Sequence, residues 1–186
     1  TELISRILGI NGHMIIQPID SPFNDYAELT KKFAEVPGVR MALPLVEGQT
    51  LASGRGGAGS GALVRGVRPE DLEKLTEVSS NIKSGDIVGF ASGQGVLVGS
   101  RLAAQLGLSA GDQITLISPE GDVTPMGVNP RVKSYPVSGI FEIGMSEYDA
   151  TIIYMPLEES QNYFNAEGIV QSIELFIDNP DSVDDL

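Results

Sequence analysis

ATIIYMPLEESQNYFNAEGIVQSIELFI, residues 150–177, reads as a strand, a helix and a second strand. Ala150–Met155 is an apolar run of strand length. Pro156 supplies the fixed φ that suits a first helical turn, and the pattern predicts a helix over Pro156–Phe164. Val170–Ile177 then returns as a strand. The same layout stands near the start of the chain. GHMIIQPID, Gly12–Asp20, reads as a strand and is followed by turn residues. Asp25 is placed to cap a helix running to Glu35, with Leu29, Phe33 and Val36 at roughly helical spacing and Pro37–Gly38 as its stop. Val39–Leu51 is again a strand. The two units agree in layout, not in sequence. Paired side by side they make an α+β layer structure: one mixed sheet with the helices on one face.

Between them the composition changes. Ser53–Glu147 is richer in glycine and in short strands, at Ala62–Val67, Ile87–Phe90, Gly95–Val98, Gln113–Ile117 and Val137–Phe141. Pro69–Glu77 reads as a short helix. Ser100–Leu106 reads as another, capped at Ser100 and closed by Gly107. In LGLSAGDQITL, Leu106–Leu116, Gly111–Asp112 turns the chain and strand alternation resumes, which is a mechanical role. The expected organisation is a discontinuous subdomain, residues 1–52 and 148–186, with a β-rich subdomain inserted at 53–147.

ISPEGDVTPMGVNPRVKSY, Ile117–Tyr135, lies within the insert between two strand patterns. It holds Pro119, Pro125 and Pro130, which lack a backbone donor, and Gly121 and Gly127, which weaken strands. Such a run is expected to resist regular pairing, and as a loop it is far longer than an ordinary hairpin connection. Val123, Pro125, Met126 and Val128 put apolar surface at its middle. Either they form a contact surface for another molecule, or the loop folds back and Met126 fills a gap in its own domain.

Composition excludes several function classes. The chain has 186 residues, 41% of them apolar, enough for one large domain or two small intertwined ones. Twelve Lys and Arg face 25 Asp and Glu, a net charge of −13 that repels a phosphate backbone. No helix pattern is basic and amphipathic in the way that adheres to an anionic membrane face. No apolar run approaches the roughly 18–20 residues that span a bilayer. Cysteine is absent, so neither disulfides nor thiol chemistry is available. No signal peptide is visible.

The remaining motifs carry little chemistry. Gly54, Gly56 and Gly59 match GxGxxG, but a strand-like ALVRGV follows where phosphate binding needs a helix start. His13 is the only histidine, too few for a zinc site, and no nucleophile elbow accompanies it. Glu158/Glu159 and Asp184/Asp185 are sequence neighbours that point in different directions on a helix. At the ends, TELISRILGI places Leu3, Ile4, Ile7 and Leu8 on one helical face, and NPDSVDDL reads as a helix start. Both are expected to continue into helices beyond an excised domain.

VLVGSRLAAQLGLSAGDQITLIS at Val96–Ser118, TPMG at Thr124–Gly127 and VSGIFEIGMSEYDATIIYMPLEESQNYF at Val137–Phe164 together resemble the periplasmic domain of lipoprotein-releasing ABC transporter permeases. These are the LolC/LolE type, within the MacB-like periplasmic core domain family. The TPMG piece favours a LolC-like or merged LolF-like subunit over LolE. The resemblance covers nearly the whole chain. It implies a Porter part built from two strand–helix–strand units, an inserted Sabre part, and a transmembrane helix joined to each end. It also implies a projecting hook hairpin, residues 117–135, that recruits the soluble chaperone LolA. Carried over by position, the hook falls on Thr124, Pro125, Met126 and Gly127, followed by Val128, Asn129, Pro130 and Arg131. The implied partners are LolA, a lipoprotein substrate, a second permease copy or LolE-like subunit, and a LolD-like ATPase that hydrolyses ATP. The domain itself would be non-catalytic, without cofactor or metal, at the periplasmic face of a bacterial inner membrane. Two other readings compete: a MacB-like efflux or mechanotransmission domain lacking the hook, and a small-molecule-binding domain using the cleft between the subdomains.

Overall fold

A computed structural model describes residues 14–16 and 25–178. The sequence readings on residues 1–10, His13 and 179–186 fall outside that range, and the first strand is described only as β1, Met14–Ile16.

β2 is the backbone of the molecule. It runs unbroken over Val39–Ser53, 15 residues, or roughly 50 Å of extended chain. Along its length it pairs with three other strands. Its first half lies antiparallel to β9 (Ser172–Ile177), and β9 in turn holds β1. Its second half forms a hairpin with β3 (Gly59–Val67), in register from Leu45↔Val67 to Ser53↔Gly59. Its last residues, Leu51–Ser53, also take β6 (Gln113–Thr124). β3 pairs parallel with β8 (Ile152–Pro156), and the sheet continues through β5 (Val96–Gly99) and β7 (Gly127–Phe141) to β4 (Ile82–Gly85). Among the described residues these strands form one mixed sheet, ordered β1-β9-β2-β3-β8-β5-β7-β4 with β6 on β2 and β7. β3, inside the segment read as an insert, lies between β2 and β8 of the flanking units.

The helices of the two strand–helix–strand units, α1 (Tyr26–Ala34) and α7 (Leu157–Tyr163), share one face. Leu29 and Phe33 of α1 and Leu157 of α7 pack on Ala42, Val46 and Ile173. Met41, Leu43, Leu45 and Phe176 point to the other face, where α2 (Pro69–Lys74), α3 (Thr76–Ser79) and α4 (Val88–Ala91) cover them with Leu72, Val78 and Phe90. The two faces alternate along β2 because successive strand side chains point to opposite sides. A further cluster joins α5 (Ser100–Leu106) to β3, β5, β6 and β7 through Val64, Val98, Leu102, Ile114 and Val137. Gly107 ends α5 in the left-handed conformation, φ 66°, as its position after the last apolar residue requires.

Several local expectations are corrected. Ile87–Phe90 is not a strand: Val88–Ala91 forms α4, because the Asp86 carboxylate accepts the Val88 amide at 2.9 Å and starts a turn that buries Phe90. A four-residue apolar run does not distinguish strand from helix. The strand in that region is β4, one edge of the sheet. The strand expected from Ala150 starts at Ile152, since α6 (Ser146–Thr151) occupies the residues before it. Asp149 of α6 is 2% exposed and accepts the Ile143 and Gly144 amides at 2.9 and 3.1 Å. The helix expected over Pro69–Glu77 breaks at Leu75, φ −80° and ψ 77°. Pro156 stands just before α7 rather than inside it. Around Gly54, Gly56 and Gly59 the chain runs strand, 3-10 turn, strand, with Gly56 and Gly57 at positive φ, so no helix N-terminus faces an anion there.

Candidate partner-docking site

Ile117–Tyr135 is not an irregular loop. β6 and β7 pair antiparallel from Gln113↔Pro136 to Thr124↔Gly127, so the segment is a two-stranded ribbon. The prolines that argued against pairing are accommodated at one irregularity. Ser118 pairs with Arg131 and Asp122 pairs with Asn129, which leaves Pro119, Glu120 and Gly121 opposite Pro130 alone. A bulge is where a ladder tolerates residues without a donor. Pro125 and Met126 form the turn. Proline cannot take the positive φ that primed hairpin turns place at their first central residue, and the turn closes instead through Gly127 at φ 122°. A Cβ on Gly127 would meet nothing within 4 Å, so backbone conformation rather than space reserves that position for glycine.

Pro125, Met126, Gly127, Asn129 and Pro130 are exposed, and Met126 is 96% exposed, the most exposed of the large apolar side chains described. Met126 therefore fills no gap in the body of the domain. For Thr124 and Val128 the structure describes the backbone pairing, Thr124↔Gly127 and Val123↔Val128.

Arg131 stands differently. It is partly buried, and its guanidinium donates to the Asn162 and Tyr163 carbonyls at 2.5 and 3.0 Å and to Asn165 Oδ1 at 2.7 Å. The last carbonyls of a helix lack intrahelical partners and attract a cation, so Arg131 closes the C-terminus of α7 while tying the ribbon to it. Two ladder pairs further toward the root, Lys133 forms an ion pair with Glu159 of α7, and the Tyr135 hydroxyl donates to the same carboxylate at 2.9 Å. Burial, and then Glu159, raise the Tyr135 hydroxyl well above its usual range, so it stays a donor. Tyr135 also meets Tyr163 edge-on, with ring centroids 6.2 Å apart. A projecting tip and a strapped root are thus separated by a few residues.

Sequence reading did not find the strap, nor an apolar row at the root. Leu51, Ile117 and Val132 are aligned across β2, β6 and β7, with Leu51 47% and Val132 61% exposed. Only the ladder register brings them together. Treating Ile117 onward as strand would have put Ile117 and Val132 in a ladder, but not beside Leu51.

A buried charge cluster lies elsewhere, on the sheet face opposite α1 and α7. Arg65, 4% exposed, pairs with Glu47 at 2.7 Å and Glu174 at 3.1 Å beside a cleft of about 540 Å³ reaching Tyr148 and Thr151. Burial disfavours the guanidinium charge, but Tyr154 and the two carboxylates outweigh it and hold the pKa above its ordinary value. Glu47 is raised, chiefly by burial. Arg65 thus bridges two carboxylates across three strands, with one negative charge in excess. Among the described residues no group of three His, Cys, Asp or Glu is placed to hold a metal ion, and no helix is long and apolar enough to cross a membrane.

The long strand β2, its two flanking strand–helix–strand units and the lateral β-rich part define a known architecture. The model of the MacB-like periplasmic core domain matches residues 3–186, and the chain belongs to that family. Among curated relatives it is similar to the lipoprotein-releasing system transmembrane protein LolC of Xylella fastidiosa, 28% identical over 90% of this chain and 40% of that protein. LolC of Neisseria meningitidis is 28% identical over 96% and 43%. The lipoprotein-releasing system transmembrane protein LolE of Haemophilus influenzae is 22% identical over 100% and 45%. The chain thus spans about two-fifths of the length of these relatives. Two solved structures share the fold: the extracellular domain of the noncanonic ABC-type transporter YknZ from Gram-positive bacteria, with TM-score 0.61 at 14% identity over 92% of this chain and 86% of that one; and the periplasmic region of MacB from Actinobacillus actinomycetemcomitans, with TM-score 0.61 at 12% over 100% and 85%.

Proposed function

We propose that this chain is the periplasmic domain of a lipoprotein-releasing ABC permease of LolC or merged type, and that its β6–β7 ribbon is the hook that recruits the soluble lipoprotein carrier LolA. The observation that carries the reading is Met126, 96% exposed at the turn of a ribbon whose root is tied to α7. An apolar, polarizable side chain held clear of the body fits a concave, greasy partner. A tip pre-ordered by a proline turn and a bolted root loses little freedom on docking. Pro125, Met126, Gly127, Asn129 and Pro130 are the contact residues in this proposal, flanked by Thr124 and Val128. Arg131 belongs to the strap, and it serves docking by holding the ribbon's direction.

The domain would work without chemistry of its own, at the periplasmic face of a bacterial inner membrane. A lipoprotein is the cargo, a second permease copy or LolE-like subunit completes the membrane part, and a LolD-like ATPase supplies the energy. The subdomain division at residues 52/53 and 147/148 goes with this proposal as a Porter part and an inserted Sabre part.

Burying one methionine contributes about 1.5–3 kcal/mol, roughly 10- to 150-fold in affinity. Met126→Asp is therefore expected to weaken LolA binding by at least that factor in a calorimetric titration, with the melting temperature unchanged. Unaltered binding would remove the hook assignment.

A further inference from the structure

The chain is strongly acidic, yet one cleft is basic. Between α1, the start of β2 and α2, a cleft of about 390 Å³ is lined by Lys31, Arg40, Arg68 and Lys74. These are four of the twelve Lys and Arg in the whole sequence, facing one lining carboxylate, Asp71. Asp71 is 1% exposed and engaged by Arg68 at 2.6 and 3.2 Å. Glu70 adds a looser contact to Arg68 at 3.8 Å. Lys31, Arg40 and Lys74 stand exposed, so a net positive surface remains after that pairing. Like charges gathered in this way repel one another and call for an anion. The Thr30 hydroxyl lines the same cleft, buried and without a hydrogen-bond partner among the described residues. It can donate to an anion's oxygen, which offsets its burial.

The cleft's place in the fold identifies the anion's source. The first and last described residues lie at this end of β2. Met14, where β1 begins, pairs with Leu175 near the end of β9, and the Asp178 amide donates to the Gly38 carbonyl at 2.9 Å, two residues before Arg40. If the chain is tethered at its ends to a bilayer, as the proposed function holds, this end of β2 faces the lipid. The root of the ribbon, at Leu51–Ser53, lies at β2's other end.

We propose that the Lys31–Arg40–Arg68–Lys74 cleft binds the phosphate of anionic phospholipid headgroups and seats the domain on the bilayer surface. The proposal rests on the membrane-tethered part of the functional reading and is independent of the ribbon and of LolA. Basic side chains near an anionic leaflet each add to binding, and the attraction fades with salt.

The test is flotation of the 186-residue chain at low salt with vesicles of equal parts phosphatidylglycerol and phosphatidylcholine, against phosphatidylcholine alone. The expected result is binding to the anionic vesicles only, reduced about ten-fold or more by Lys31→Glu/Lys74→Glu. Lys83→Glu/Arg101→Glu makes the same change in net charge at exposed positions away from the cleft and is expected to leave binding near the wild-type level. Equal loss in both variants would reduce the effect to net charge and overturn the site. So would equal binding to both vesicles, or none. Millimolar inorganic phosphate provides the second arm. If phosphate binds at Lys31 and Lys74 by chemical shift while the vesicles are ignored, the site is a free-anion site and the headgroup assignment is wrong. Met126→Ala should float like wild type, so a failure here is separable from a failure of the hook.

Discussion

Two hairpins project from one sheet, and they are built on opposite plans. The β2–β3 hairpin keeps unbroken register and ends in the 3-10 turn Arg55–Gly57, where Gly56 and Gly57 carry positive φ and no large apolar side chain. The β6–β7 hairpin breaks register once and ends in Pro125–Met126 with the methionine fully displayed. Each is fastened, but in different places. At the glycine turn a single exposed ion pair, Arg55–Asp112 at 2.6 Å, reaches the body. The ribbon is fastened behind its tip, through Arg131, Lys133 and Tyr135 on α7. A turn that only reverses the chain needs permissive residues. A turn that presents a side chain needs a stiff tip and a fixed root. The difference separates a connection from a contact element.

That contrast can be broken at several points. The largest effect on stability is expected for Gly54→Ala, where the glycine hairpin leaves the sheet. Its Cβ would fall 2.2 Å from the Leu106 carbonyl oxygen and 2.7 Å from Leu106 Cβ, a backbone clash costing about 1–3 kcal/mol in denaturant unfolding. Gly127→Ala meets no neighbour and should cost about 1–2 kcal/mol through its positive φ alone. Ranking the two the other way would contradict the packing described at Gly54. Arg131→Ala removes the guanidinium from the Asn162 and Tyr163 carbonyls and from Asn165 and should cost about 1–2 kcal/mol, while also weakening carrier binding several-fold because the tip must then be ordered on docking. A variant that loses stability but keeps full affinity would show that the strap does not position the tip.

The smallest effect is a pH dependence confined to the glycine hairpin. The Asp112 pKa is lowered, first by the Ser109 amide and then by Arg55. A carboxylate with a lowered folded pKa stabilises above its ordinary range, and that contribution is lost as pH falls through the lowered value. Acidification should therefore speed hydrogen exchange at Gly54, whose amide donates to the Ala58 carbonyl, before it affects the β6–β7 ladder. Uniform loss of protection in both hairpins would place the weak point elsewhere.

The sequence made the layered core legible because its signals are local. An apolar run, a proline or glycine stop, and a second apolar run recur at both ends, and the helices they predict stand within a residue or two of α1 and α7. What escaped depends on partners distant in the chain. Proline and glycine in Ile117–Tyr135 argued against pairing, yet the ladder absorbs them in one bulge. β4 carries a single large apolar residue, Ile82, because an edge strand needs little more. Sequence alone leaves Met126 either displayed or folded back, and its 96% exposure answers that, while the strap at Arg131 depends on where α7 ends. The basic cleft was hidden most deeply. Its cations spread over residues 31–74 on three elements, so no helix pattern contains them and the net charge conceals them.

The central claim concerns which of the two tips a partner grasps. The chain has no cysteine, so a photocrosslinker can be attached at a single introduced one, at position 126 or at position 57, and each derivative irradiated with LolA. The account predicts adducts from position 126 and none from position 57. Adducts from both alike, or from position 57 alone, would contradict it.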